Sequence, residues 1–151
     1  MRLVSPLAGT IVLLGDVPDP VFADGIVGPG IAIEPLRSAR QVVRAPADGI
    51  IGAVHPHAFA LELTGGRTIL VHLGIDTVSL KGLGFTVQVT AGQVVVAGEP
   101  LLTWSPVDVS AAGLATICPV IALQAPAGAV TVLVTPGTDV AAGDPLLDWA
   151  D

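Results

Sequence analysis

Tyrosine is absent from this chain, and aromatic residues together make up only 3% of its 151 positions. The core must therefore be built from Val, Leu, Ile and Ala. Basic residues are also few: six Lys and Arg stand against thirteen Asp and Glu, giving a net charge of −7. A phosphate backbone is bound by clustered Lys and Arg, so nucleic acid is excluded as a partner. Cys118 is the single cysteine, which rules out an intramolecular disulfide and agrees with a reducing compartment. Its Ile-Cys-Pro-Val-Ile setting reads as a small buried hydrophobe rather than a nucleophile. Long apolar helices are missing as well. Val109 to Thr138 carries no charge, but Gly113, Pro119, Gln124, Pro126, Gly128 and Pro136 cut it into pieces of strand length. That stretch reads as buried β-structure. The first residues lack a targeting pattern, since Pro6 interrupts their apolar run. The expectation is a soluble cytoplasmic protein with no direct membrane insertion.

What is present points to strands. Hydrophobic residues reach 52% against 13% charged, which excludes intrinsic disorder. Eighteen Gly and thirteen Pro punctuate Val-rich runs, the pattern of many short strands joined by tight turns. The segment Val89-Thr-Ala-Gly-Gln-Val-Val-Val-Ala-Gly-Glu-Pro-Leu-Leu-Thr-Trp104 recurs as Val134-Thr-Pro-Gly-Thr-Asp-Val-Ala-Ala-Gly-Asp-Pro-Leu-Leu-Asp-Trp149, and Ser5-Pro-Leu-Ala-Gly-Thr-Ile echoes Ala45-Pro-Ala-Asp-Gly-Ile-Ile. Such pairs predict an all-β fold: a single-domain antiparallel sandwich or barrel over residues 1–151, with internal pseudo-repeats and little helix. The helix candidates are Pro106 to Ala115, capped by Asp108, and a short turn near Asp19 to Ile26. Arg37 to Arg40 reads as a loop.

The three histidines, His55, His57 and His72, share one window. Gly65-Gly66 splits that window into two apolar-rich runs, a hairpin signal. A two-residue loop would oppose Thr64 to Arg67, place His72 across from Phe59, and make His57 its same-face diagonal neighbour at roughly 7–8 Å between Cα atoms. Alone, each imidazole has an ordinary structural explanation. Together, with Asp76 four residues after His72, they suggest chemistry, because an unpaired buried imidazole is costly. Zinc is one use for such a pair, but the cysteine is remote and there is no His-Glu-x-x-His. No Gly-x-Ser-x-Gly elbow supports a hydrolytic triad, and no phosphate-binding P-loop is present. A neutral imidazole can also attack a phosphoryl group while a second donor steadies its oxygens.

Three motifs narrow the choice: Asp16-Val-Pro-Asp-Pro-Val-Phe-Ala-Asp-Gly-Ile-Val-Gly-Pro-Gly-Ile-Ala-Ile33, His57-Ala-Phe, and Val71-His-Leu-Gly-Ile-Asp-Thr-Val-Ser-Leu-Lys-Gly-Leu-Gly-Phe85. In these the chain resembles the glucose-type enzyme IIA phosphocarriers of the bacterial phosphoenolpyruvate-dependent sugar phosphotransferase system, from about Val4 to Leu123. The resemblance implies an all-β sandwich in which His72 accepts the phosphoryl group through Nε2 and His57 contacts it. His55, Asp76 and Thr77 become candidates for supporting side chains. It further implies a shallow apolar depression, lined by Val21, Phe22, Ile26 and Val27 as exposed recognition residues. Asp19 and Asp76 stand at its rim, with Val78 nearby. His55 stands where many members carry Thr, Leu70 where Phe is common, and Ser79 in place of a rim acid.

The same resemblance implies a route. The phosphoryl group comes from the phosphohistidine of the carrier HPr and passes to a cysteine on the IIB domain of a membrane permease, without metal, nucleotide or other cofactor. A regulator that reports sugar status to other proteins is an alternative within the family. A biotinyl or lipoyl carrier is a rival from outside it, because its modules share the Val-x-x-Gly-x-x-Val-x-x-Gly-x-Pro-Leu-Leu turn. That rival needs an exposed Lys at a hairpin tip, and the one Lys here is Lys81 in Leu-Lys-Gly-Leu-Gly.

Overall fold

A computed structural model describes residues 1–150. Its strands are β1 (Arg2–Val4), β2 (Gly9–Val12), β3 (Gly30–Pro35), β4 (Gln41–Arg44), β5 (Gly49–His55), β6 (Ala58–Glu62), β7 (Thr68–His72), β8 (Phe85–Val87), β9 (Val94–Val95), β10 (Pro100–Trp104), β11 (Cys118–Ala122), β12 (Val130–Val132), β13 (Asp139–Val140) and β14 (Pro145–Trp149). Two short helices, α1 (Pro20–Ala23) and α2 (Pro106–Ala111), interrupt them. An eight-stranded sheet runs β13-β2-β3-β11-β7-β6-β5-β9, and two three-stranded sheets run β1-β14-β12 and β4-β10-β8. Every strand pair is antiparallel. The large sheet keeps open edges at β9 and β13, so the architecture is a sandwich and not a closed barrel.

The sequence repeats map onto this plan. In each long repeat the first strand closes one edge of the large sheet: β9 pairs with β5, and β13 with β2. The second strand lies at the centre of a small sheet, β10 between β4 and β8, β14 between β1 and β12. The shorter echo supplies the links from β1 to β2 and from β4 to β5. Inward residues of all three sheets, among them Leu3, Ile33, Val43, Phe59, Val71, Trp104, Val120 and Leu147, form one core. Trp104 is satisfied there by donating its indole N–H to Gln41 Oε1 at 3.0 Å.

The two halves differ in one connection. The link from β5 to β6 is a two-residue turn with His55 paired to Ala58, whereas residues 13–29 make a long excursion between β2 and β3. That excursion carries α1 across the outer face of the large sheet. There Val17 and Phe22 pack on Ala32 of β3, Ile121 of β11 and the half-buried Leu70 of β7, forming a second, smaller apolar cluster. The alternation along β7 explains the division: Ile69 and Val71 face the main core, while Leu70 and His72 face outward.

Several expectations need correction. The β6–β7 register opposes His72 to Ala58, one residue away from the predicted Phe59. The loop has three residues, Thr64 to Gly66, because Gly65 and Gly66 both take positive φ, at 77° and 73°, and Leu63 N–H donates to the Arg67 carbonyl at 2.8 Å. The cap of α2 is Ser105, whose Oγ accepts from the Asp108 backbone N–H at 3.1 Å; Asp108 itself lies inside the first turn, and the helix ends at Ala111. Of the uncharged stretch from Val109 to Thr138, only β11 is fully buried, because it alone lies mid-sheet, between β3 and β7. No helix among the described residues is long and apolar enough to cross a membrane.

Candidate active site

His72 ends β7 on the outer face, and the chain must turn sharply after it. Gly74 makes the turn with φ of 75°, and a Cβ there would come within 2.6 Å of Thr77 Cγ2 and 2.8 Å of the Ala115 carbonyl. Only glycine fits. Buried Thr77 holds the bend closed, its hydroxyl donating to the Leu73 carbonyl at 2.7 Å. The consequence is chemical. The Gly74 carbonyl lies 2.6 Å from His72 Nδ1, and a carbonyl can only accept, so Nδ1 carries the proton and Nε2 of the neutral ring keeps its lone pair.

His57 reaches the same place by a route other than the predicted diagonal. It occupies the β5–β6 turn rather than a strand position, and its carbonyl accepts from Leu73 N–H at 2.7 Å. Its ring meets His72 at 5.2 Å between centroids, with the planes at 66°. It also stacks with His55 at 5.9 Å and 25°. All three imidazoles are therefore brought together.

Burial pushes the pKa of His72 below the ordinary histidine value of 6.5. The bond to Gly74 and the carboxylates of Asp19 and Asp76 oppose that fall without cancelling it. His57 is also lowered, first by burial, then by the charges of His72 and His55. Both rings are thus biased toward the neutral form near pH 7. Asp19 caps α1, accepting from Val21 N–H at 2.9 Å, while Asp76 takes a left-handed conformation with φ of 60° and opens the turn Thr77–Leu80.

Of the expected recognition residues, Val21, Ile26 and Val78 are exposed and Val27 is half-buried. Phe22 differs from the expectation of exposure. It is only 8% exposed, packs in the small outer cluster, and lays its ring 5.4 Å from that of His72 at 56°. The helix of residues 20–23 turns it inward while its neighbour Val21 points out. Phe22→Ala should accordingly cost about 3 kcal/mol, which is roughly 6–12 °C in Tm for a chain of this size. Thermal denaturation checks this, and an unmoved Tm would return Phe22 to the exposed recognition surface.

Gly74 escaped the sequence reading as a site residue, although a glycine two positions after a strand-ending histidine was a usable signal. Cys118 is fully buried, and burial drives its thiol pKa far up. Lys81 lies at the end of the turn Thr77–Leu80 and not at a β-hairpin tip, so the carrier-lysine geometry is lacking. Among the described residues no group of three or more His, Cys, Asp and Glu side chains could hold a metal ion.

Comparison with known proteins fits this geometry. The family model of the phosphoenolpyruvate-dependent sugar phosphotransferase system, EIIA 1, matches residues 1–128. The chain belongs to that EIIA family. It is 46% identical over 127 residues to the glucose-specific EIIBCA component of Corynebacterium glutamicum, covering 83% of this chain but 18% of that protein. The chain thus spans about a fifth of such relatives. The glucose-specific EIIA component of Oceanobacillus iheyensis is 37% identical over 123 residues, covering 80% of this chain and 73% of its own length. Among solved structures, the glucose permease IIA from Mycoplasma capricolum superimposes with a TM-score of 0.85 at 33% identity, covering 97% of this chain and 94% of its own.

Proposed function

We infer that residues 1–151 act as one cytoplasmic phosphocarrier domain, charged by the phosphohistidine of HPr and discharged to a cysteine on the IIB domain of a sugar permease. The observation that carries this reading is the His72 Nδ1–H bond to Gly74, which leaves Nε2 as the nitrogen of that ring able to attack. On charging, the Nε2 lone pair forms a new N–P bond as the donor's N–P bond breaks and its electron pair returns to the donor ring. On discharge, a thiolate forms the S–P bond and the N–P pair returns to Nε2. His57, with its ring 5.2 Å from that of His72, supplies a donor for the phosphoryl oxygens. The apolar surroundings limit water at the labile phosphoramidate. The exposed Val21, Ile26 and Val78 form the contact surface, and Asp19 and Asp76 orient a basic partner.

Incubation with phosphoenolpyruvate, enzyme I and HPr tests the reading by intact mass. The expected result is a gain of one acid-labile phosphate. A mass that stays unchanged would remove the proposal.

A further inference from the structure

The third imidazole does not follow from the two-histidine mechanism. His55 ends β5 with its side chain exposed, yet it is not free to wander. Its backbone pairs with Ala58, Pro56 stiffens the two-residue turn, and the Leu73 N–H holds the far side at the His57 carbonyl. The Lys81–Gly82 bend buttresses the turn from outside, since a Cβ on Gly82 would lie 3.4 Å from Pro56 Cγ. Within this clamped turn the His55 and His57 rings stack at 5.9 Å, and His57 in turn meets His72.

We propose that His55 is a positioning residue for phosphoryl transfer, stacked behind His57 so that the two imidazoles respond to charge at His72 as one unit. The proposal rests on the phosphocarrier reading and deepens it. In the resting protein a proton on His57 is opposed first by burial and then by both neighbouring imidazoles, so the ring waits neutral. The charged groups near the unit are His72, on which the carboxylates of Asp19 and Asp76 act, and Lys81, next to Gly82 on the buttressing bend. A phosphoryl group on His72 brings about −1.5 to −2 charges, on the scale of phosphate esters. That charge reverses the balance and draws a proton from solvent onto the stacked pair, where it steadies the phosphoryl oxygens through His57. When the group leaves, the proton is released again. The stack also holds the His57 ring plane, which an isolated turn residue would not do.

The test is NMR titration of the imidazoles in wild type, His55→Ala and His55→Gln, together with the rate of discharge to a IIB domain. Removing His55 should raise the resting midpoint of His57 in both variants, because one opposing charge is gone. Discharge should slow about three- to tenfold in His55→Ala, the scale on which one ring contact orders its partner. His55→Gln should recover part of that rate, because its planar amide still covers the ring, while its His57 midpoint stays raised. A charged wild type whose His57 midpoint is the same in His55→Ala overturns the role of His55 alone. A wild type that takes no phosphate from phospho-HPr overturns the phosphocarrier reading, and this role with it.

Discussion

His72→Gln should accept no phosphate from phospho-HPr while folding normally. The substitution removes the attacking Nε2 and leaves an amide of similar reach. The Gly74 carbonyl, which His72 engages at 2.6 Å, loses that donor, because a Gln amide reaches the position of Nε2 rather than that of Nδ1. The stability change should stay near the net worth of one hydrogen bond, about 1 kcal/mol. Intact mass after exposure to the phosphorylating system gives the answer, and one acid-labile phosphate on the variant would assign the acceptor elsewhere. The same nitrogen sets the pH dependence. Protonation of Nε2 blocks attack, and His72 titrates below 6.5 because burial outweighs the Gly74, Asp19 and Asp76 contributions. Charging should therefore decline as pH falls, with a midpoint below the 6.5 of an ordinary histidine. Asp19→Asn and Asp76→Asn should each move the His72 midpoint lower still, since both carboxylates favour the imidazolium.

Much of this was legible before any coordinates, and the misses have physical causes. The turn glycines and repeated strand pairs pointed to an antiparallel sandwich or barrel, because their chemistry is local; which of the two depends on the edges of the large sheet, set by distant pairings. The His57–His72 encounter was foreseen, but through a strand diagonal; both Gly65 and Gly66 take positive φ, which lengthens the loop and shifts the register by one. The rings still meet because His57 sits in a turn that reaches over the end of β7. The resemblance misplaced Phe22 as exposed, whereas the local apolar pattern alone reads it as core, which is where it lies. Four helical residues within the 13–29 excursion turn it inward, and the strands it packs on come from distant parts of the chain. Ser105 rather than Asp108 caps α2 for a simpler reason: the Pro at the first helical position fixes where the helix begins. Gly74 was visible in the sequence, but its carbonyl's role depends on a bend that only the Thr77 hydroxyl and the Ala115 contact define.

His57→Gln should separate charging from discharge. Charging moves a phosphoryl group from one imidazole to another, and excess phospho-HPr drives it to completion even if the chemistry slows. The variant should therefore still gain one phosphate at end point. Discharge is read as a rate, and there the loss should reach about 10²–10³-fold, the usual scale for removing one transition-state donor. The amide of Gln keeps an N–H but cannot take up a proton. His57 can: its resting pKa is held down by burial and by the neighbouring imidazoles, and the incoming negative charge favours its cation. As the N–P bond loosens its electron pair returns to Nε2, while the negative charge of the phosphoryl oxygens stays spread beside a ring whose centroid lies 5.2 Å from that of His72. A fixed neutral donor stabilises that charge less than a donor whose proton follows it. Single-turnover transfer from isolated phospho-protein to a IIB domain measures the difference. Discharge at the wild-type rate would reduce His57 to a structural part of the β5–β6 turn, leaving the phosphoryl group to be steadied by the partner's own side chains.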